Sequence, residues 1–562
     1  MSLTENDQTS DNCVGVTPEK SPADDKQTRS RVSPRYFHSG LFLGTYAAVV
    51  VSIMSGVAPY ALAAPLLTDI NVDIGPSPDI AWVGYSYNLV LACSLSLVGR
   101  LSDIFGRRWF FISGNFLALI GTIICAAALN VPMLIGGMVI ASLGIATQLS
   151  FQYVLGELVP VGQRFIVMST VFPWTMPLVR WIWSRGLSSI PSIHRFEVAL
   201  VFLVVRHIER DLHVIALREL DWIGMAMFAS GLFLFLMGLA WGGNAYPWGS
   251  AAVLCPLIVG ILLLGALIVW EVKAKLEVPF IPTRLFRNGR WVAMMLCLGI
   301  GATQYYALAL VWPKMIASLW PDKVARIPLG SGLLAVLTGG GLILGQIVGA
   351  LIANWVNKRS LLLFSSTVGA TFLAAAAVSN EHNLSTVLGV LIPGFLGIGV
   401  QEAVAGVFCT VALKDQADIG VGGGLAATTR AGLSALGSVI YNVILDNRLA
   451  KTVPSLVGKV AQNVSLPSQS VPALIQYLQG TGSAEVVAGL SQEAMDSLIT
   501  AYRTANSLAF RDVMLTTLAF GGCSVICAFF TPKIDAAQAE VVSRVLERET
   551  KLQQGENSLE KD

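Results

Sequence analysis

Two kinds of residue stand out for the chemistry they can do: charges set inside long apolar runs, and a knot of charges set between two of them. Glu402, beside Gln401, has apolar flanks on both sides and no His or Lys in its own run. A charge at that depth in hydrocarbon costs about 2.5–3.5 kcal/mol on insertion scales, so such a carboxylate is a candidate for reversible protonation. Its plainer role is a satisfied interhelical hydrogen bond. Arg430, in "GGGLAATTRAGLSALGS", is the natural counter-charge in the next run, where glycines and alanines permit close helix contact. Glu157 ends an earlier run and is a third coupling candidate, with a boundary salt bridge as its plainer role. The knot is "GRLSDIFGRR", residues 99–108. Gly99 and Gly106 fall where a backbone turns or helices touch. Asp103 can accept hydrogen bonds at the start of a helix or pair with an arginine. Arg100, Arg107 and Arg108 hold a membrane boundary and can bridge to a neighbouring helix. A bare positive-inside turn is the alternative.

A second set of side chains suits binding. Gln148 and Gln152, spaced i, i+4, share a face if one helix carries both, and Tyr153 follows. Gln304, Tyr305 and Tyr306 lie in one later run, Gln346 in the next, and Gln401 adjoins Glu402. Aromatic faces with a few amides fit a bulky, mostly uncharged, multi-ring molecule. Trp312 and Trp320 read as membrane-interface anchors. Every His (His38, His194, His207, His213, His382) lies at a run end or in a loop, which argues against a histidine proton relay. No phosphate-cradling Gly-Lys-Ser/Thr loop is present, so energy must come from an ion gradient and not from ATP. The eight Cys have no metal or disulfide spacing. No nucleophile, metal cluster or paired catalytic carboxylates emerge, so neither an enzyme nor a cofactor is expected.

These groups need elements to hold them. Of the 562 residues 54% are hydrophobic and 13% charged, where a soluble chain carries about 25% charged residues. The repeated apolar runs therefore read as membrane-spanning helices, making this an all-α polytopic membrane protein of about fourteen spans. They fall near 40–62, 80–98, 109–129, 133–155, 165–183, 197–206, 221–241, 250–270, 291–312, 331–353, 361–379, 385–411, 419–445 and 512–531. Lys and Arg favour one set of loops by roughly three to one, which places both termini in the cytoplasm. The organisation expected is a polar, disordered tail (1–38), an N-terminal bundle (39–210, irregular from 165), two linker helices with a cytoplasmic loop (211–290), a C-terminal bundle (291–532) and a tail (533–562). Residues 446–510 form an external loop of short amphipathic helices, with glycosylation sequons at Asn463 and Asn383. The net charge of +2, spread over loops, gives no sign of nucleic-acid binding.

G-x-L-x-D-x-x-G-R-R resembles the signature loop between helices two and three of the major facilitator superfamily. That resemblance implies two six-helix bundles and a charge lock between them that opens and closes with alternating access. "GALIANWVNKRS" is a faint second copy, with Gly349, Lys358 and Arg359 but no acid. Two extra central helices match the fourteen-helix drug:proton antiporter branch. "INVDIGPSPDIAWVG", "QLSFQYVLGELVP", "DWIGM", "LAWGGNAYPWGSA", "IGVQEAVAGVF" and "IGVGGGLAATTRAGLSALGSVIYNVIL" are similar to the fungal trichothecene efflux pump family, whose relatives include siderophore–iron transporters. The likeness implies a monomeric carrier that moves a small organic molecule against protons across the plasma membrane or a vacuolar or vesicle membrane. Uptake of an iron–siderophore complex and a non-transporting, receptor-like or defective carrier are the rivals.

Two stretches depart from the pattern. The fourth run lacks the arginine that many drug:proton antiporters carry there. Between "ELVP" and "DWIG" the motifs lapse: Pro173, Pro177, Arg180 and Arg185 crowd the fifth run, and the sixth offers about ten apolar residues, half of what a bilayer needs. A wrongly joined exon or a lesion produces such a segment.

Overall fold

The computed structural model of the protein describes residues 37–75, 77–160, 163–174, 220–243, 245–274, 276, 279–326, 330–353, 355–413, 418–464, 468–478 and 490–531. Sixteen α-helices form among them. The first six are α1 (Gly40–Asp73), α2 (Trp82–Phe105), α3 (Arg107–Ala126), α4 (Val131–Gln148), α5 (Phe151–Leu158) and α6 (Arg164–Ser169). Next come α7 (Trp222–Trp241) and α8 (Ala251–Lys273). The rest are α9 (Gly289–Leu319), α10 (Pro321–Ala325), α11 (Gly330–Ile352), α12 (Lys358–Ala375), α13 (Leu384–Val411), α14 (Ile419–Asn463), α15 (Val471–Leu478) and α16 (Gln492–Ala528). Nine of the described helices are long and apolar enough to cross a membrane, and Phe42–Gly56 and Leu337–Ile352 are shorter apolar stretches. The expected run at 197–206 and residues 175–183 of that at 165–183 lie outside the described residues, as do both expected tails apart from residues 37 and 38.

Polar side chains start these helices where the first amides lack partners. Ser39, Asn130, Asp221, Asn288, Asn357 and Ser491 each accept a hydrogen bond from a backbone N–H in the first turn. Between helices the contacts rest on small residues, because lipid tails are as apolar as leucine and only close packing rewards association. A Cβ added at Gly397 would stand 2.7 Å from the Gly369 nitrogen, joining α12 to α13, and one at Gly399 would stand 2.8 Å from the Gly345 Cα, joining α11 to α13. The outward surface is apolar instead: Leu262, Ile268 and Val272 on α8 are 65–68% exposed, as a lipid-facing helix requires.

The two bundles meet along α2 and α14. A Cβ at Gly99 would lie 2.5 Å from the Gly420 carbonyl oxygen. One turn on, Thr428 Oγ1 accepts from the Ser96 amide (3.0 Å), pairs with Ser96 Oγ (2.8 Å) and donates to the Ala92 carbonyl (2.9 Å).

Three expectations change. The run at 133–155 is two helices: α4 ends at Gln148 and α5 starts at Phe151, with Ser150 between them off helical geometry at φ −81°, ψ 14°. Residues 446–510 are not a loop of short helices alone. α14 runs 45 residues, about 68 Å against a hydrocarbon core of about 30 Å. Its last turns pack Val453, Val457 and Ala461 against Leu474 of α15 and Leu498 and Ala505 of α16. Trp312 and Trp320 are 1% exposed and staple the C-terminal bundle, donating to the carbonyls of Leu334 (2.7 Å) and Asn380 (2.9 Å).

The α2–α14 junction predicts that Ser96→Cys with Thr428→Cys, in an otherwise cysteine-free chain, joins the bundles on mild oxidation. With a protease site added between α8 and α9, the cleaved chain should run as one band until reduced. Fragments that separate without reductant would contradict the junction.

Candidate functional site

Glu402 lies two-thirds of the way along α13, its side chain 2% exposed. Arg430 Nη2 from α14 donates to both of its carboxylate oxygens, at 3.0 Å to Oε2 and 3.3 Å to Oε1. Gln346 Nε2 from α11 adds a third bond to Oε2 at 3.3 Å. On its other side the guanidinium carbon lies 5.4 Å from the ring centre of Tyr306 on α9, and that ring packs edge-on against Tyr305. Four helices thus converge on one ion pair. A single arginine nitrogen serves both oxygens, so the planar fork is not spent on the carboxylate, and 27% of the Arg430 side chain remains exposed. The pair is lopsided: the acid is sealed in, whereas the base reaches the space beside it.

Glycine decides how close these parts come. A Cβ at Gly301 would be 2.7 Å from Gln401 Nε2 and 3.5 Å from Glu402 Cγ, so α9 passes α13 with no room for a side chain. Gln401 turns away from the ion pair and donates to the Cys297 carbonyl at 2.9 Å.

The other candidates fall elsewhere. Asp103 sits on the first turn of α14, its carboxylate so close to Gly420 that a Cβ there would overlap it. The positive end of a long helix dipole is where a carboxylate is favoured. Asp418, just before that helix, pairs with Arg284 Nη2 at 2.6 Å, and Arg100 faces Asp103, Asp418, Glu271 and Arg284 together. Gly106 holds φ +81° between α2 and α3, a conformation that suits glycine. The side chains of Arg107, Arg108 and Tyr153 lie outside the described residues. Glu157 is buried beside Arg164, which donates to the carbonyls of Val159 (3.1 Å) and Thr410 (3.4 Å), and it takes no part in the Glu402 cluster.

The break between α4 and α5 separates Gln148 from Gln152. Gln148 is fully buried against Gly56 of α1, and Gln152 reaches Gly406 of α13, so the shared face expected from their spacing does not form. Gln304 is also fully buried. It faces Gly521 of α16 inside the C-terminal bundle, away from Arg430, and so does not line a cleft with Tyr305. Asn463 is exposed at the end of α14, whereas Asn383 ties its Nδ2 to the Val378 carbonyl at 2.7 Å. Ser96, Thr428, Asp418 and Arg284 were not singled out from sequence. The signal for Thr428 is its i, i+4 spacing from Gly424 and Gly420 along one face.

A family model described as "Fungal trichothecene efflux pump (TRI12)" matches residues 203–555, and one described as "Major Facilitator Superfamily" matches residues 45–176. Residues 177–202, within the stretch where the sequence motifs lapse, fall between the two. The chain is similar to trichothecene efflux pump TRI12 of Trichoderma arundinaceum, 24% identical over 533 residues that cover 89% of this chain and 88% of that protein. It is likewise similar to the MFS-type transporter pydD of an Acremonium species, 24% identical over 491 residues, 82% of this chain and 81% of that one. Among solved structures, the proton:xylose symporter XylE bound to 6-bromo-6-deoxy-D-glucose matches with a TM-score of 0.52 at 12% identity, covering 91% of this chain and 100% of that chain. That likeness is one of fold. The helical body is a major facilitator fold in an integral membrane protein with multiple spans, and the family is one of transporters, not enzymes.

The lopsided pair predicts unequal costs. Arg430→Met strands a buried carboxylate and should destabilise by about 3–5 kcal/mol. Glu402→Gln leaves an arginine that can reach water and should cost distinctly less, and the double variant should recover most of the loss. Thermal unfolding in detergent reads all three; equal losses for the two single variants would contradict the geometry.

Proposed function

Since this chain belongs to the fungal trichothecene efflux pump family of the major facilitator superfamily, we propose that it exports small organic molecules, secondary metabolites or xenobiotics, in exchange for protons. The observation that carries the reading is the Glu402–Arg430 pair, which is buried where α9, α11, α13 and α14 converge.

With Glu402 ionised, the pair neutralises itself and Arg430 is held. A proton arriving on the carboxylate removes its charge and releases the guanidinium, which can then donate toward the space beside Tyr306. A carbonyl or hydroxyl of a multi-ring substrate is a suitable acceptor, with Tyr305 and Tyr306 supplying an aromatic face. Proton and substrate therefore act on the same arginine in opposite senses, which is the condition for exchange. Asp103, seated on the first turn of α14, holds the cytoplasmic ends of the bundles together until that helix moves. The full arrangement is two six-helix bundles and two linker helices, fourteen spans with both termini cytoplasmic, working as a monomer in the plasma membrane.

The test uses everted vesicles with an acid interior and two probes, a radiolabelled trichothecene and a fluorescent rhodamine dye. The wild-type chain should accumulate at least one probe only while the gradient lasts. Glu402→Gln should lose that gradient-driven accumulation and still bind the probe. Full gradient-driven transport by Glu402→Gln would overturn the reading.

A further inference from the structure

Behind Glu402, inside the C-terminal bundle, lies a second group of polar side chains that the exchange scheme leaves unused. On α9, Gly299, Thr303 and Tyr306 face α14. Cys297, Gly301 and Gln304 share the opposite face and look into the space between α12, α13 and α16. Cys297 Sγ lies 3.5 Å from Ser524 Oγ on α16, Ser366 of α12 faces the same thiol, and the Cys297 carbonyl holds Gln401 of α13. Further in, a Cβ at Gly521 would lie 3.8 Å from Gln304 Nε2. None of these side chains is more than 1% exposed. Three of their polar atoms find no hydrogen-bond partner among the described residues: both amide atoms of Gln304 and Gln401 Oε1.

Buried amides and hydroxyls are almost always satisfied, and where protein atoms do not serve, ordered water does. Three orphaned atoms grouped around a shared face of α9 make a polar seam that ordered water can satisfy. From Cys297 to Gln304 the group extends about 10 Å along the helix axis. Its lower end, at Ser524 and Cys297, lies within two to three turns of the end of the bundle that carries Asp103. Its upper end is Gln304; between the two ends Gln401 holds the Cys297 carbonyl, and at Gly301 the side chains of Gln401 and Glu402 both press on α9.

We infer that this seam binds ordered water molecules and forms a proton route between Glu402 and the cytoplasmic side, separate from the path of the substrate. The role rests on Glu402 being the coupling carboxylate; the water site does not. Glu402 faces Arg430 from α14, Gln346 from α11 and, across the guanidinium, Tyr306 from α9. In the transfer, the carboxyl O–H bond breaks as a water O–H bond forms, and each water passes one proton on until it reaches bulk solvent. No redox partner is needed. Such a route lets the proton leave while the substrate enters the cleft.

Two measurements on the full-length protein in lipid test this. X-ray radiolysis converts bound water to hydroxyl radical where it sits, so Cys297 should be oxidised despite its burial. Cys93, buried on α2 in the other bundle, should be spared. Ser366→Ala and Gln304→Met, each removing polar atoms at little cost in volume, should lower Cys297 oxidation toward the Cys93 level. They should also slow gradient-driven proton movement about ten-fold while leaving probe binding intact. Cys297 as inert as Cys93 in the wild-type protein overturns the water site. Oxidised Cys297 with unslowed proton movement in both variants overturns the route. Loss of coupling in Glu402→Gln alongside either result shows that the seam failed and the coupling carboxylate did not; retained coupling there, with Cys297 oxidised, shows the reverse.

Discussion

A carboxylate enclosed in an apolar bundle has to be answered by another charge, and most of what is distinctive here follows from that need. Glu402 is almost wholly removed from solvent, and taking an ion from water costs several kcal/mol even after the protein relaxes. Arg430 meets the cost only because α13 and α14 approach on either side of α9, and they do so through glycines. Gly301 leaves room for Gln401 and Glu402, Gly299 for Leu433, and Gly437 for Thr303. Gln346 then occupies a third lone-pair direction of the acid. A side chain at Gly301 would push Gln401 aside and disturb the acid next to it. The row of small residues is thus part of the electrostatics, because it sets the distance over which the charges act.

The same helix that holds the arginine also carries the contact between the bundles. Gly420 lies under Asp103, Thr428 bonds to Ser96 and Ala92, and Arg430 follows two residues later. From Gly420 to Arg430 is about 15 Å of continuous helix. A change in how Arg430 is held can therefore reach the Asp103 contact through one stiff element, with no need for a chain of side-chain rearrangements. Beyond the membrane core the helix continues into a small apolar cluster with α15 and α16, and Arg448 pairs with Asp512 at 2.7 Å. That anchorage fixes the far end of α14 to the C-terminal bundle, so its freedom to shift lies at the Asp103 end.

The sequence reveals charge and loses direction. Glu402, Arg430 and the 99–108 knot are legible because ionised groups amid apolar runs are expensive and therefore rare. Which way a neutral amide points is not legible, because helices such as α9 are apolar all round and carry no polar stripe to orient them. Gln304, next to Tyr305 in sequence, accordingly faces the bundle interior. The spacing of Gln148 and Gln152 puts them on one face only of a continuous helix, and the helix breaks at Leu149 and Ser150 between them. Trp312 and Trp320 have the composition of interface anchors, but their indole N–H groups find carbonyl partners inside the bundle. The length of α14 escaped notice because its outer turns carry only a narrow apolar face, Val453, Val457 and Ala461, amid charges.

The central claim is that Glu402 takes up and gives back the transported proton. Infrared difference spectra of the reconstituted protein, recorded as the pH is stepped down, read this without a substrate. The account predicts a protonated-carboxyl carbonyl band that appears on acidification in the wild-type chain and is missing in Glu402→Gln. A spectrum in which Glu402→Gln keeps the same band, or in which no such band appears in the wild type, would contradict it.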